Sequence, residues 1–347
     1  MSGRRRSGAT LHDVAARAGV SPSTASRVLN GGVRSARGIP DATREAIWNA
    51  ARELDYAVNS QAQSMAAGAN KTIAILATEI DDPGAAELVS GATRKARALG
   101  HSVFIALAGL TEHDEIDALR AVRGQRPKAV LVAIARSTDM KREEAFGAEL
   151  EAFARAGGRI SIIGDNTFDY DAVTLRNAES AAALAEELAS IGYRRFAMIG
   201  GPADLITPRE RAAGFARGLA GHGIEIPADL VMTEDFDHDG GYRAAERLIS
   251  RIGDLDVVFA ASDAMALGAI ARFAEEGISL PRDVTVAGFD DVPIVRDLDP
   301  PLTTVRVPLA EMAEHAVVQV LSPSDRVQTF QVSGTVMLRG GTPPLRD

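Results

Sequence analysis

The chain has 347 residues, which at ~100–200 residues per domain allows two or three domains with ample core. Hydrophobic residues make up 46% and charged residues 24%, which argues against a disordered chain, and the absence of cysteine excludes disulfides, thiolate metal sites and cysteine nucleophiles. The net charge of −9 hides an asymmetry: residues 1–70 carry nine arginines, no lysine and five acids, a net +4, which leaves −13 on the remainder. A basic head on an acidic body reads as two jobs in one chain, the alternative being a solvated basic tail.

Residues 1–9, with Arg4, Arg5 and Arg6, read as a disordered basic tail. No apolar stretch follows and no run approaches the ~18–20 residues of a membrane span, so a cytoplasmic chain is expected. Thr10-Leu-His-Asp13 has the form of a capping box, and Leu11, Val14, Ala15 and Ala18 recur at helical spacing. Gly19-Val20 ends this helix, with Gly19 free to take positive φ. Ser21 caps a second helix with Pro22 at its first position, and Asn30-Gly31-Gly32 ends it after about Leu29. Ala15 is small where the second helix crosses. A third helix, Asp41 to about Asp55, presents Ala42, Ile47, Ala50, Ala51 and Leu54 as its packing face. Residues 10–57 thus read as a helix-turn-helix unit.

In such a unit the second helix enters the major groove and its early residues reach base edges. Here those are Pro22, Ser23, Ser26 and Arg27, of which Arg27 alone can grip a guanine edge with two bonds. Ser21, Thr24 and Asn30 suit phosphates. A helical hairpin with no DNA role is the alternative reading.

The segments "TLHDVAARAGVSPSTASRVLN" and "TREAIWNAARELDYAVNSQAQSMAAG" resemble the headpiece of the LacI family of bacterial transcriptional repressors. The resemblance adds Leu11, Thr43, Tyr56, Asn59, Ala62 and Met65 to the DNA-contacting set. It also implies a hinge helix at about Asn59–Ala67, within residues 58–70. In a dimer two such helices lie in the minor groove and wedge a base step, here with Met65 in place of leucine. Two residues and one loop depart from the family pattern. Ala25 replaces a valine under the second helix, Val58 replaces a proline, and the loop from Asn30 to Thr43 is longer, with Arg34 and Arg37 able to reach phosphates.

Beyond Lys71, strands read at about 73–78, 102–107, 128–134, 160–163, 195–200, 256–260 and 284–288. Helices read at about 84–99, 112–124, 143–156, 178–191, 208–221, 240–251, 263–276 and 309–321. This alternation implies α/β architecture with parallel sheets, restarting near residue 175, and ligands in such folds bind beyond the carboxyl ends of the strands. The segments "ILATEIDDPGAAEL", "IIGDN", "GGPADLITPRERAAGF", "FAASDAMALGA", "VTVAGFDD" and "DPPLTTVRVP" are similar to the LacI-family core, itself like periplasmic sugar-binding proteins. The resemblance implies a two-subdomain core over 71–345: a first subdomain at about 71–175 plus 305–330, and a second at about 176–304 plus 331–345.

Ligand chemistry is expected at the strand ends. Asp165 can accept two hydroxyl bonds, Arg211 supplies a planar donor fork, and Asp290 follows Gly288-Phe289. By the resemblance Ser262 faces the ligand and Phe236 stacks on a sugar or base. The competing readings are an inter-half salt bridge for Arg211 and Asp290, plain core for Phe236, a helix cap for Asp263 and a structural role for Asp291. Gly84-Ala85 stands where relatives have two phenylalanines, which enlarges the cleft mouth, and Val307 replaces a glutamine, which gives the cleft more apolar surface.

The six histidines (12, 101, 113, 222, 238 and 315) form no metal-binding pair, and no nucleophile elbow or phosphate loop is present. Asp81-Asp82 and Asp290-Asp291 read as caps and turns, so no metal, cofactor or catalytic set is expected. The sequence therefore reads as a ligand-responsive repressor that binds a pseudo-palindromic DNA operator as a homodimer, with a sugar or polyol effector. A transport-type sugar-binding protein and a cytoplasmic sugar-acting enzyme are the alternatives. The ending "RGGTPPLRD" lacks the heptads of a tetramerising helix, so a dimer is expected.

Overall fold

The computed structural model describes residues 9–30, 38–56, 70–80, 82–109, 111–322, 324 and 326–345, with the backbone alone at Asn30. Arg34, Asn59, Ala62, Met65 and the rest of the expected hinge helix lie outside the described residues. The chain divides between Asn70 and Lys71 into two units.

The first unit holds three helices, α1 (Leu11–Arg17), α2 (Pro22–Asn30) and α3 (Asp41–Glu53). The capping box forms at α1: the Thr10 hydroxyl accepts the Asp13 N–H at 3.3 Å, and the Asp13 carboxylate accepts the Thr10 N–H at 2.8 Å. Gly19 turns the chain at φ +67°, and the Ser21 hydroxyl accepts the Thr24 N–H at 3.2 Å to cap α2. Val14, Ala15, Ala25, Val28, Leu29, Ile47, Ala50 and Ala51 fill the interior. Four of these eight are alanines, so the helices can approach closely but little apolar area is buried, as expected of a small unit.

The second unit has two parallel sheets. Strands β1 (Thr72–Ala77), β2 (Ser102–Leu107), β3 (Ala129–Ala133), β4 (Arg159–Ile163), β5 (Asp171–Leu175) and β11 (Thr329–Val332) form the first, in the order β11-β5-β4-β3-β1-β2. Strands β6 (Phe196–Gly200), β7 (Val231–Thr233), β8 (Val257–Ala260) and β9 (Thr285–Ala287) form the second, in the order β7-β6-β8-β9. Helices α4 (Pro83–Ala98), α5 (Glu112–Gln125), α6 (Met140–Arg155) and α11 (Leu309–Leu321) cover the first sheet. The second half carries α7 (Asn177–Ser190), α8 (Ile206–Ala220), α9 (His238–Leu248) and α10 (Asp263–Glu275). The central strands are continuous apolar runs such as Ile75, Leu76 and Val130–Val132, because helices bury both of their faces.

The chain crosses between the halves around β10 (Thr304–Arg306), which pairs antiparallel with β12 (Thr335–Met337). Helix α8 begins at Ile206, earlier than expected at 208. Pro208 falls in its first turn, where a missing N–H leaves no bond unmade.

Candidate functional site

On α2, Ser23, Arg27 and the capping Ser21 and Pro22 are exposed, while Thr24 and Ser26 are half-buried. Ser23 and Arg27 lie four residues apart and so share a helix face. The Ser21 hydroxyl meets those of Ser23 at 2.9 Å and Thr24 at 2.8 Å, a cluster at a helix N-terminus that suits a phosphate. Leu11 and Tyr56 are half-buried against the helical core, so packing accounts for much of their surface, and Thr43 is half-buried in the first turn of α3. The exposed Arg17–Glu53 pair, 2.6 Å apart, ties α1 to α3. The Asn30 side chain, Arg34, Asn59, Ala62 and Met65 lie outside the described residues.

In the second unit Asp165, Arg211, Phe236 and Asp290 gather beyond the carboxyl ends of the strands. Arg211 is 6% exposed and spends its fork on the protein. Its Nε donates to Asn177 Oδ1 at 3.0 Å, its Nη1 to the Ala261 carbonyl at 2.9 Å, and its Nη2 pairs with Asp290 Oδ1 at 3.0 Å. The guanidinium lies 4.0 Å over the Phe289 ring and 5.9 Å from the Phe236 centroid. The Arg211–Asp290 pair therefore forms, but within the second half rather than between halves: α8 carries one partner and the loop after β9 the other. Phe236 packs on the second-half core, in line with the core reading, and its ring centroid lies 5.9 Å from the Arg211 guanidinium.

Asp165 follows β4 and Gly164 in the first half, and it accepts the Thr207 hydroxyl of α8 at 2.6 Å. Burial raises its carboxyl above the usual range, against the bond from Thr207, the charge of Arg211 and a bond from Asn177. Burial pushes Asp290 up to about 7, opposed by Arg211 and reinforced by Asp263 and Asp82. Glu210 is raised by burial and by Asp165 and Glu179. Desolvated carboxyls are costly to leave without donors, which suits hydroxyl partners better than anions.

Three expectations change. Ser262 is the cap of α10: it is 4% exposed and its hydroxyl accepts the Met265 N–H at 3.2 Å. Asp263, expected as that cap, sits one position later and is fully buried. Its carboxylate accepts the Val292 N–H at 2.9 Å and the Thr304 hydroxyl at 2.7 Å, which pins β10 to α10. Val307, expected to widen the apolar lining, packs into the interior at 3% exposure. The structural reading of Asp291 fits its surroundings of Arg296, Arg306 and Arg339. Asp82 caps α4, its carboxylate accepting the Ala85 N–H at 2.6 Å. Sequence reading missed Asn177 and Thr207, which hold Arg211 and Asp165. Their only signal was position, at the restart near residue 175 and inside the segment that carries Arg211.

Among the described residues no group of three His, Asp or Glu could hold a metal, and no helix is long and apolar enough to cross a membrane.

A model of the lacI family of bacterial regulatory proteins matches residues 10–59, and one of a periplasmic binding protein-like domain matches residues 185–336. The chain is 32% identical over 336 residues to the HTH-type transcriptional repressor PurR of Erwinia tasmaniensis, covering 95% of this chain and 96% of that one. It is 32% identical over 314 residues to the HTH-type transcriptional regulator CelR of Thermobifida fusca, covering 88% of each. Among solved structures, a CelR–cellobiose complex aligns with a TM-score of 0.68 at 28% identity over 96% of this chain and 99% of that one. The lac repressor dimer bound to operator and the anti-inducer ONPF shares the fold, with a TM-score of 0.79 at 22% identity over 97% of this chain and 100% of that one. The three-helix unit with its exposed α2, the paired parallel sheets and these matches across nearly the whole chain lead to one assignment: this protein belongs to the LacI family of DNA-binding transcriptional regulators.

Proposed function

We propose that this regulator is a repressor that binds a pseudo-palindromic operator as a homodimer through α2 and releases or grips it in response to a small polyhydroxylated effector, a sugar or polyol. The observation that carries the reading of the effector is the convergence of Asp165, Arg211, Asp290 and Phe236 on one site. Two carboxyls accept bonds from hydroxyls, the Arg211 guanidinium fixes Asp290 in place, and a ring covers an apolar face. A dianion would be repelled by the two carboxylates. That the related CelR is solved as a cellobiose complex supports the sugar class. A purine is the second reading, favoured by the Phe236 ring as a stacking surface 5.9 Å from the guanidinium. Work in the cytoplasm, without a cofactor, follows from the regulatory role.

The test is a thermal-shift screen of sugars, polyols and nucleobases, since a ligand at 100 times its Kd stabilises by about 2.7 kcal/mol. The hit is then titrated against operator binding of the wild type and Arg211→Lys. A compact ammonium cannot reproduce the planar fork, so the variant is expected to bind operator nearly as the wild type does and to lose the response. A variant that responds at the same ligand concentration places the effector elsewhere.

A further inference from the structure

Beside the Asp165–Thr207 contact the two halves of the cleft touch through their backbones. Residues 136–138 follow β3 in the first half, and residues 204–206 lead into α8 in the second. Ser137 and Leu205 form an antiparallel bridge. The Thr138 N–H donates to the Asp204 carbonyl at 2.7 Å, and the Ile206 N–H donates to the Arg136 carbonyl at 2.9 Å. The Ser137 and Thr138 hydroxyls add bonds to the same Asp204 carbonyl at 3.2 and 3.3 Å.

The first-half side of this contact is anchored. Arg136 is fully buried, stacks 4.1 Å over Phe146, and grips Glu143 with Nη2 at 2.7 Å and Nε at 3.2 Å. The same Glu143 accepts the Ser137 N–H at 3.0 Å. Arg142 locks the neighbouring buried Glu115 at 2.6 Å. Leu205 is likewise fixed at the start of a long helix. Each side of the bridge is thus tied to its own half, which couples opening of the bridge to separation of the halves.

We propose that residues 136–138 and 204–206 form a releasable clasp that sets how far the cleft is closed, using the protein's own groups rather than a ligand's. Two backbone bonds are few enough to open by rotation of the halves about the crossover strands, and specific enough to define one closed register. The clasp is made by the protein alone; only its consequence for signalling rests on the reading of the cleft as the effector site.

Two experiments on the full chain test it. Ile206 is the first residue of α8, and Leu205 before it is extended (φ −85°, ψ 131°), a conformation that tolerates a following proline. Ile206→Pro therefore deletes one clasp donor and spares the helix. Amide exchange at Thr138 is expected to accelerate about fivefold or more, with Val130–Val132 unchanged. An unchanged Thr138 rate, or equal acceleration in β3, overturns the proposal. Should that variant not fold, the second experiment decides. Ser137 and Leu205 are the non-hydrogen-bonded pair of the bridge, with Cα atoms at ~4.5 Å, inside disulfide range. The chain has no other cysteine to compete. Ser137→Cys with Leu205→Cys is expected to oxidise readily in the native protein and to slow Thr138 exchange at least tenfold. A pair that oxidises only in denaturant overturns the clasp.

Discussion

Asp291 offers the sharpest test of how the core is held. Its side chain is fully buried, and Arg306 Nε and Arg339 Nη2 each approach it at 2.6 Å, with Arg296 Nη2 at 3.3 Å. Asp291→Asn keeps the shape and removes the charge, leaving three guanidinium groups around a neutral amide. Removing one partner of a buried pair costs about 3–5 kcal/mol, because the remaining charge stays desolvated. Arg296 and Arg306 are 44% and 46% exposed, so water recovers part of their loss and about 3 kcal/mol is expected. At ~2–4 °C per kcal/mol for a unit of this size, Tm falls by about 6–12 °C. Burial pushes the Asp291 carboxyl up, but the bonds from Arg306 and Arg339 and the charges of Arg339 and Arg296 outweigh it and hold it below the usual range. A depressed carboxyl stabilises above its unfolded pKa of about 3.9 and loses that stabilisation as pH falls toward the folded value. The deficit of Asp291→Asn is therefore full at pH 7 and shrinks below about pH 4. Calorimetry of the full chain across that range is the assay, with Glu151→Gln, from an exposed pair with Arg155, as a control expected to cost under ~1 kcal/mol. A Tm change under about 3 °C at pH 7, or a deficit that grows in acid, refutes the reasoning.

Arg27→Ala is expected to weaken operator binding by about 1–3 kcal/mol per headpiece and to relax the preference at one base, measured on operators substituted at each position. Weakening that is uniform across sequences would make Arg27 a phosphate contact. Gly268→Ala places a Cβ 1.9 Å from the His238 carbonyl, so α9 and α10 must separate. The urea midpoint should fall by the equivalent of about 1–3 kcal/mol, while Gly253→Ala, with open space around it, stays near wild type. Sedimentation at micromolar concentration is expected to give the mass of two chains, and a four-chain mass contradicts the proposed dimer.

Much of this was legible because its causes are local. Thr10 and Asp13 close a box three residues wide, Gly19 supplies a positive φ, and Ser21 precedes Pro22; each is decided within one helical turn. The long apolar strands were equally plain, since burial on both faces leaves no polar interruption. Strands β5, β7, β10, β11 and β12 escaped for the opposite reason. They are three to five residues long, β7 and β11 are exposed sheet edges, and β5 keeps Asp171 and Thr174 within its run. At the site, residue types at strand ends located Asp165, Arg211 and Asp290. What the sequence could not display is how they are shared among themselves. That Arg211 answers Asp290 within one half, while Asp165 answers Thr207 across the cleft, depends on contacts between residues 42 or more apart. The cap fell to Ser262 rather than Asp263 for a similar reason. Either can cap a helix, and the choice was made by Thr304, 41 residues away, which bonds the Asp263 carboxylate.

The adjacent aspartates at 290 and 291 show how a cleft event can reach the crossovers. Both have positive φ, 123° and 59°, a conformation that non-glycine residues hold at a cost of about 1–3 kcal/mol each. The turn they make sends successive carboxylates in different directions. Asp290 faces Arg211, and Asp291 faces the arginines of β10 and of the segment after β12. The backbone between them is tied to the same crossover: the Asp290 N–H donates to the Val305 carbonyl at 2.8 Å, and the Val307 N–H donates to the Asp290 carbonyl at 3.1 Å. Val305 and Val307 lie on the path from the second half to α11, which packs on the first sheet. If the effector binds as proposed, a ligand that draws Arg211 away from Asp290 would act on a carboxylate whose own peptide is bonded to the strand joining the halves. Arg306 of β10 and Arg339 after β12 tie the Asp291 carboxylate to the same crossover, next to the turn that carries Asp290.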